Sequence, residues 1–253
     1  MQTYQDIHYL EQDGLATIRF NRPDVLNAIR VQTYQELIQA LEQADQSDAV
    51  KVIILTGTQH AFTAGNDLAD LLPDGDIEGV QRGVAGIFNQ LSGLEKPLIC
   101  AQEGLAIGIG ANILLHADLA VAGQSTRYAL PFARIGVTSE GASSVLLQEA
   151  IGPKTASELL LTGRFFSADE AKQWGLLNQV VEDGSALEAA QTLAKQLLQN
   201  SIDSLREIKA LGRAEYHQQR VNDTVAREMQ RFAQLLTTPE TQARIHTVLK
   251  RPK

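Results

Sequence analysis

An α/β fold that closes in a helical C-terminal region is predicted by three features of this chain. Compact β-branched runs alternate with stretches of helical periodicity as far as residue 181. From about residue 186 onward only helical patterning remains. Glycines and small residues also gather where two strand-like runs end, in AFTAGNDL (61–68) and EGLAIGIGAN (103–112). Strand-then-helix units followed by helices alone indicate α/β architecture with an added helical layer.

Taken in order, residues 7–10 and 15–20 read as a hairpin about Asp13-Gly14, a pair suited to a tight turn. Val31, Tyr34, Leu37, Ile38 and Leu41 are spaced for an amphipathic helix over 31–44. VKVIILT (50–56) is a continuous apolar run ending at Gly57, the pattern of a strand buried on both faces. The acidic stretch DLLPDGDIEGVQRG (70–83) reads as a mobile surface loop, with a helix over 83–94 after it. Pro97 opens a strand at 98–101, and a glycine-rich bend at 104–110 leads into a short helix through Leu115. A strand at 118–122 and an extended piece at 127–130 follow. Helices are expected after Gly141 and after Pro153, which suits a first helical turn. SADE (167–170) matches a capping box, and AKQWG ends it on a glycine stop. The last strand falls at 177–181, and helices are expected near 186–200, 204–218, 222–236 and 239–249. The division expected is a core over 1–199 and a helical region over 200–253.

Composition narrows the function. The 253 residues are 44% hydrophobic and 21% charged, as in soluble globular proteins, with a formal net charge of −8 that disfavours nucleic-acid binding. Cys100 is the sole cysteine, so neither an internal disulfide nor a cysteine-built zinc site is expected, and a reducing, cytoplasmic setting fits. No signal-like apolar run opens the sequence, and the apolar stretch at 105–115 falls far short of the ~20 residues of a membrane span.

Several common chemistries lack their residues. There is no phosphate-loop motif and no G-x-S-x-G elbow, and Gly108-Ile-Gly110 lacks the third glycine of a dinucleotide fingerprint. The five histidines (His8, His60, His116, His217, His246) show no metal-binding spacing, so no metal site is expected. Asp74, Asp76 and Glu78 lack the remaining ligands of a calcium loop. What remains is the pair of glycine-containing segments, each able to turn peptide N–H groups toward a ligand oxygen, and Glu140 in the bend SEG. Taken alone, each segment is more often a tight turn than an anion site, and Glu140 more often an exposed carboxylate of a first helical turn.

Together these segments resemble the crotonase (enoyl-CoA hydratase/isomerase) superfamily over nearly the whole chain. NRPDVLNA (21–28), AFTAGNDL, KPLICAQEGLAIGIGANILLHADLAVAG and LTGRFFSADEAKQWGLLNQVV are similar to its motifs, in its order. The resemblance implies a ClpP-like spiral of ββα units with a helical trimerisation region, a coenzyme A thioester as ligand, and no separate cofactor. It places an oxyanion hole at the backbone N–H groups of Ala64 and Ile109. The coenzyme A moiety would run along Arg22, Leu26, Ala28, Ala61, Thr63, Gly65, Asn66, Asp67, Leu68 and Gly108; Arg22, Lys250, Arg251 and Lys253 read equally as phosphate partners and as solvated surface charge. The acyl pocket would be walled by Phe132, Ile135, Val137 and Asn112. Asn112 and Phe132 occupy the positions of the two hydratase glutamates, and neither side chain moves protons. PFARIGVTSEGASS instead resembles the peroxisomal-type Δ3,Δ2-enoyl-CoA isomerases, whose single catalytic glutamate corresponds to Glu140. A ring-epoxide CoA isomerase of phenylacetate breakdown, a non-catalytic CoA-ester or protein-binding module, and a hydratase are the alternatives. Homotrimer or dimer of trimers is the assembly implied.

Overall fold

The computed structural model describes residues 4–213 and 216–250. Strands β1 (Ile7–Gln12) and β2 (Leu15–Phe20) form the expected hairpin. Asp13 and Gly14 both take positive φ at its turn, the conformation that matches strand twist in a two-residue loop. Helix α1 (Val31–Gln46) and strand β3 (Val52–Thr56) follow, then β4 (Ala61–Thr63) and α2 (Ile77–Gly93). Next come β5 (Leu98–Gln102), β6 (Leu105–Ile107), the short α3 (Ile109–Asn112), β7 (Leu119–Gly123), β8 (Arg127–Ala129) and α4 (Phe132–Ile135).

These elements repeat a ββα plan. One strand of each repeat (β3, β5, β7) enters one sheet, and the next (β4, β6, β8) enters a second sheet. Helices α5 (Ser143–Ile151) and α6 (Pro153–Thr162) precede β9 (Phe165–Ser167), α7 (Ala168–Gln173) and β10 (Gln179–Val181). The larger sheet runs β1-β2-β3-β5-β7-β10, parallel from β2 onward, and the smaller runs β4-β6-β8-β9. The chain ends in α8 (Ala186–Leu197), α9 (Ile202–Gly212), α10 (His217–Leu236) and α11 (Pro239–Leu249).

Burial explains the continuous apolar strands. Ile53, Leu55, Leu98 and Cys100 face the main core, whereas Val52, Ile54, Ile99 and Ala101 face Ala186, Ala190 and Ala194 of α8. With both faces covered, period-2 alternation disappears from the sequence. The Ser167 capping box forms as expected, with Ser167 Oγ accepting from the Glu170 N–H and Glu170 Oε2 accepting from the Ser167 N–H.

Two expectations change. The stretch 70–83 is not one loop, because α2 begins at Ile77 with Asp76 Oδ1 accepting from the Gly79 N–H at 2.8 Å, and Val80 and Val84 are buried. The strands β4, β6 and β9 went unread because three residues are too few to show a period, and their pairing partners are distant in sequence. Among the described residues, no helix is long and apolar enough to cross a membrane, and no three His, Cys, Asp or Glu side chains group as metal ligands.

Candidate active site

A cleft of about 550 Å³ opens between the loop after β4, the start of α3, α4 and the C-terminal helices. Ala64, Gly65, Asn66, Leu68, Gly108, Phe132, Ile135 and Glu140 line it, and Leu71, Ile107, Phe232 and Val248 add apolar wall. Residues spread over most of the chain thus meet in one place, as the ββα spiral stacks successive strand ends beside each other.

Glu140 is 1% exposed. Its Oε2 accepts from Asn66 Nδ2 at 3.1 Å, while Oε1 has no hydrogen-bond partner among the described residues. A Cβ built on Gly108 would stand 3.9 Å from that Oε1, so the free oxygen faces the glycine lip of the cleft. Gly108 has φ +56 and ψ −114, a conformation open to glycine, and it carries the chain directly into α3. Burial pushes the Glu140 carboxyl up to about 7, the Asn66 amide opposes this, and the nearby Glu228 carboxylate adds to it. The Asn66 amide is itself oriented, because its Oδ1 accepts from the fully buried Tyr34 hydroxyl, which leaves Nδ2 to face Glu140.

The bend bearing Glu140 is held from several sides. Its carbonyl accepts from Asn112 Nδ2 at 2.8 Å and Ser143 Oγ at 2.7 Å. The neighbouring Gly141 carbonyl accepts from His116 Nε2 at 2.9 Å, and burial depresses His116 to about 4, leaving a neutral ring. Asn112 is fully buried and Val137 is 5% exposed, and neither lines the cleft. Both were expected as acyl-pocket walls, so this placement is corrected: Asn112 supports the Glu140 main chain from behind.

The donor expected at Ala64 also moves. The Ala64 N–H is donated to the Leu26 carbonyl at 2.9 Å, the Gly65 N–H to Thr63 Oγ1 at 3.0 Å, and the Asp67 N–H to the Ile29 carbonyl at 2.8 Å. Among the described residues, the N–H of this loop without an acceptor is that of Asn66, and the Ile109 N–H at the start of α3 likewise has none. The Ile109 side chain is buried in the core, one residue after the cleft-lining Gly108.

The expected coenzyme A contacts divide. Ala61 and Thr63 are fully buried, with the Thr63 hydroxyl donating to the Asn27 carbonyl at 2.6 Å, so neither offers a ligand its side chain. Arg22 is committed internally, donating to the Ala28 carbonyl at 2.5 Å and pairing with Asp67 at 3.3 Å, which ties the 22–28 segment to the cleft loop. Leu26 is 40% exposed, Ala28 and Leu68 are half-buried, and Lys250 is exposed. Arg251 and Lys253 lie outside the described residues. Asn27 went unnoticed as a site residue: it is buried at φ +56, and its Nδ2 donates to the Ala61 carbonyl at 2.7 Å.

Comparison with known proteins shows the family. The family model for enoyl-CoA hydratase/isomerase matches residues 10–252. The 1,2-epoxyphenylacetyl-CoA isomerase of Escherichia coli is 32% identical over 229 residues, covering 88% of the chain and 87% of the relative. The short-chain-enoyl-CoA hydratase of Clostridium acetobutylicum is 32% identical over 196 residues, covering 76% of the chain and 75% of the relative. The solved structure of Pseudomonas aeruginosa OdaA superposes with a TM-score of 0.90 at 33% identity, covering 98% of the chain and all of that protein.

Proposed function

Because the chain belongs to the enoyl-CoA hydratase/isomerase family of the crotonase superfamily, we propose that it is an isomerase moving the double bond of a 3-enoyl-CoA ester to the trans-2 position. The observation that carries this reading is the orphaned Glu140 Oε1, a buried carboxylate oxygen facing a cleft that has no second acid at Asn112 or Phe132. In this mechanism the Glu140 carboxylate takes a proton from C2 of the thioester. The electron pair delocalises onto the thioester oxygen, where the Asn66 and Ile109 N–H groups stabilise the charge, and each such donor is worth about 3–4 kcal/mol. Glu140 then returns the proton to C4, so C3=C4 becomes C2=C3 and no water is added. The acyl chain lies against Phe132, Ile135 and Phe232, and the coenzyme A moiety runs past Leu26, Ala28, Asn66, Leu68 and Gly108 toward Lys250. Coenzyme A enters as part of the substrate, and the reading includes a cytoplasmic homotrimer or dimer of trimers with no nucleic-acid partner.

A second reading has direct support from the Escherichia coli relative named as an epoxyphenylacetyl-CoA isomerase. A single acid beside an oxyanion hole serves a ring-epoxide CoA ester as well, and wild-type turnover of the two substrates side by side separates the two readings.

Glu140→Gln is expected to lower isomerisation of 3-hexenoyl-CoA by ~10²–10⁴-fold, followed by absorbance of the conjugated product, while the CoA ester still binds. With Glu140 raised to about 7 and acting first as a base, kcat/KM should rise with pH through about 7 and level above it. Full activity in the Gln variant refutes the proton-shuttle role. Crotonyl-CoA hydration as fast as isomerisation would restore the hydratase alternative.

A further inference from the structure

We infer that Glu228, on the C-terminal helix α10, is a positioning residue that fixes the Glu140 bend and cancels the positive helix end behind it. The inference rests on the isomerase reading of Glu140 and extends it to a residue far away in the chain. Glu228 is 6% exposed, and its carboxylate accepts three hydrogen bonds from the segment that brackets Glu140. Ser139 Oγ donates to Oε1 at 3.3 Å, the Ser144 N–H to Oε1 at 3.0 Å, and the Ala142 N–H to Oε2 at 2.8 Å. Thr138 Oγ1 adds a fourth bond, to the Glu228 carbonyl, at 3.3 Å.

The reason such a group is needed lies at the start of α5. That helix opens two residues after Glu140 (Ala142 N-cap, φ +60) and has no side-chain cap of its own. Free N–H groups at a helix start carry partial positive charge and hold a neighbouring carboxylate in its ionised, weakly basic form. A proton shuttle beside that end would be a poor base. Glu228 takes up the Ala142 and Ser144 donors from across the interface, caps α5 in trans, and sets a negative charge near Glu140. Both effects act in one direction, toward a more basic Glu140.

Arg134 and Arg244 also line the cleft, but both are exposed, with Arg134 Nε donating to the Thr162 carbonyl at 2.8 Å and Arg244 paired with Glu240, which leaves Glu228 as the buried charge beside Glu140. Tyr34 of α1 reaches Glu140 only through Asn66, and His116 is neutral against Gly141. Arg227 is exposed and turns back to Thr224 Oγ1 of its own helix. The Arg220–Glu149 pair between α10 and α5, the Arg82–Glu78 pair of α2 and the Arg244–Glu240 pair of α11 are solvent-exposed.

The test is a titration of the Glu140 carboxyl by ¹³C NMR, its signal assigned by loss in Glu140→Gln, in wild type, Glu228→Gln and Glu228→Asp. Glu228→Gln should move the midpoint down by about one pH unit, the scale of one carboxylate–carboxylate interaction at intermediate dielectric. The pH dependence of kcat/KM on 3-hexenoyl-CoA should move with it. Glu228→Asp keeps the charge on a shorter arm, so its midpoint should stay near wild type while kcat falls. An unmoved midpoint in Glu228→Gln overturns the electrostatic part, and an Asp variant with wild-type kcat overturns the positioning part. If Glu228→Gln does not fold, the Asp variant decides alone, its lowered kcat at an unmoved midpoint supporting the role. The NMR midpoint needs no turnover, so failure of the isomerase reading, seen as an active Glu140→Gln, is distinguishable from failure of this one.

Discussion

Burial, the Asn66 amide and the Glu228 carboxylate set the behaviour of Glu140. Its folded-state value is raised to about 7 from an ordinary 4.5, with desolvation as the largest cause. A carboxyl raised by folding stabilises the protein fully below its unfolded value and loses that contribution as pH rises through the folded value. Across the window from 4.5 to 7 the loss amounts to about 3 kcal/mol. Glu140→Gln, neutral at every pH, should therefore be close to wild type in stability at pH 4.5 and more stable by up to about 3 kcal/mol at pH 8. Urea denaturation at fixed protein concentration at the two pH values measures this, and a difference that does not grow with pH would show that Glu140 ionises freely. Glu140 was legible from its bend and its neighbours in sequence. The proposed oxyanion donor was not: whether Ala64 or Asn66 keeps a free N–H depends on the Leu26 carbonyl, which only the folded chain brings to the loop.

Among the elements, the segment 22–28 and the loop after β4 behave as one unit, and Asn27 is the clip between them. Its Nδ2 donates to the Ala61 and Phe62 carbonyls, its Oδ1 accepts from the Arg22 N–H, and its own carbonyl accepts from Thr63 Oγ1. Asn27→Ala removes the side-chain bonds, strands buried carbonyls and leaves alanine at φ +56. The expected cost is about 2–4 kcal/mol in global stability, with a fall in kcat because Asn66 rides on the same loop. A loss below about 1 kcal/mol would mean that other contacts hold the loop. The NRPDVLNA motif marked this segment, yet gave Asn27 no task, since its partners belong to a three-residue strand without a sequence period. Glu228 was hidden for a related reason. In the sequence it is one acid on an amphipathic helix, and its partner Ala142 is 86 residues away.

At the scale of the whole molecule, α9 is seated by its polar groups and leaves Ile208 and Leu211 outside. Lys209 Nζ donates to the Lys96 carbonyl and to Asp118, each at 2.6 Å, and Arg213 at the end of the helix donates to the Ser92 carbonyl at 2.7 Å. No residue of α9 is buried, and Ile208 and Leu211, one turn apart, are 67% and 83% exposed. Helical patterning alone revealed that this region is helical, but not which face the chain itself covers. An apolar pair left uncovered on a firmly anchored helix fits the proposed trimer, in which another copy supplies the missing contact. Each buried Leu or Ile contributes about 1.5–3 kcal/mol, so Ile208→Glu with Leu211→Glu should weaken association by ~10²-fold or more. Sedimentation velocity should then find the wild type at three or six times the chain mass and the double variant shifted toward one. A wild type sedimenting as a single chain would remove the trimer from the proposal. A double variant that stays assembled would keep the trimer and place its contacts elsewhere than on α9.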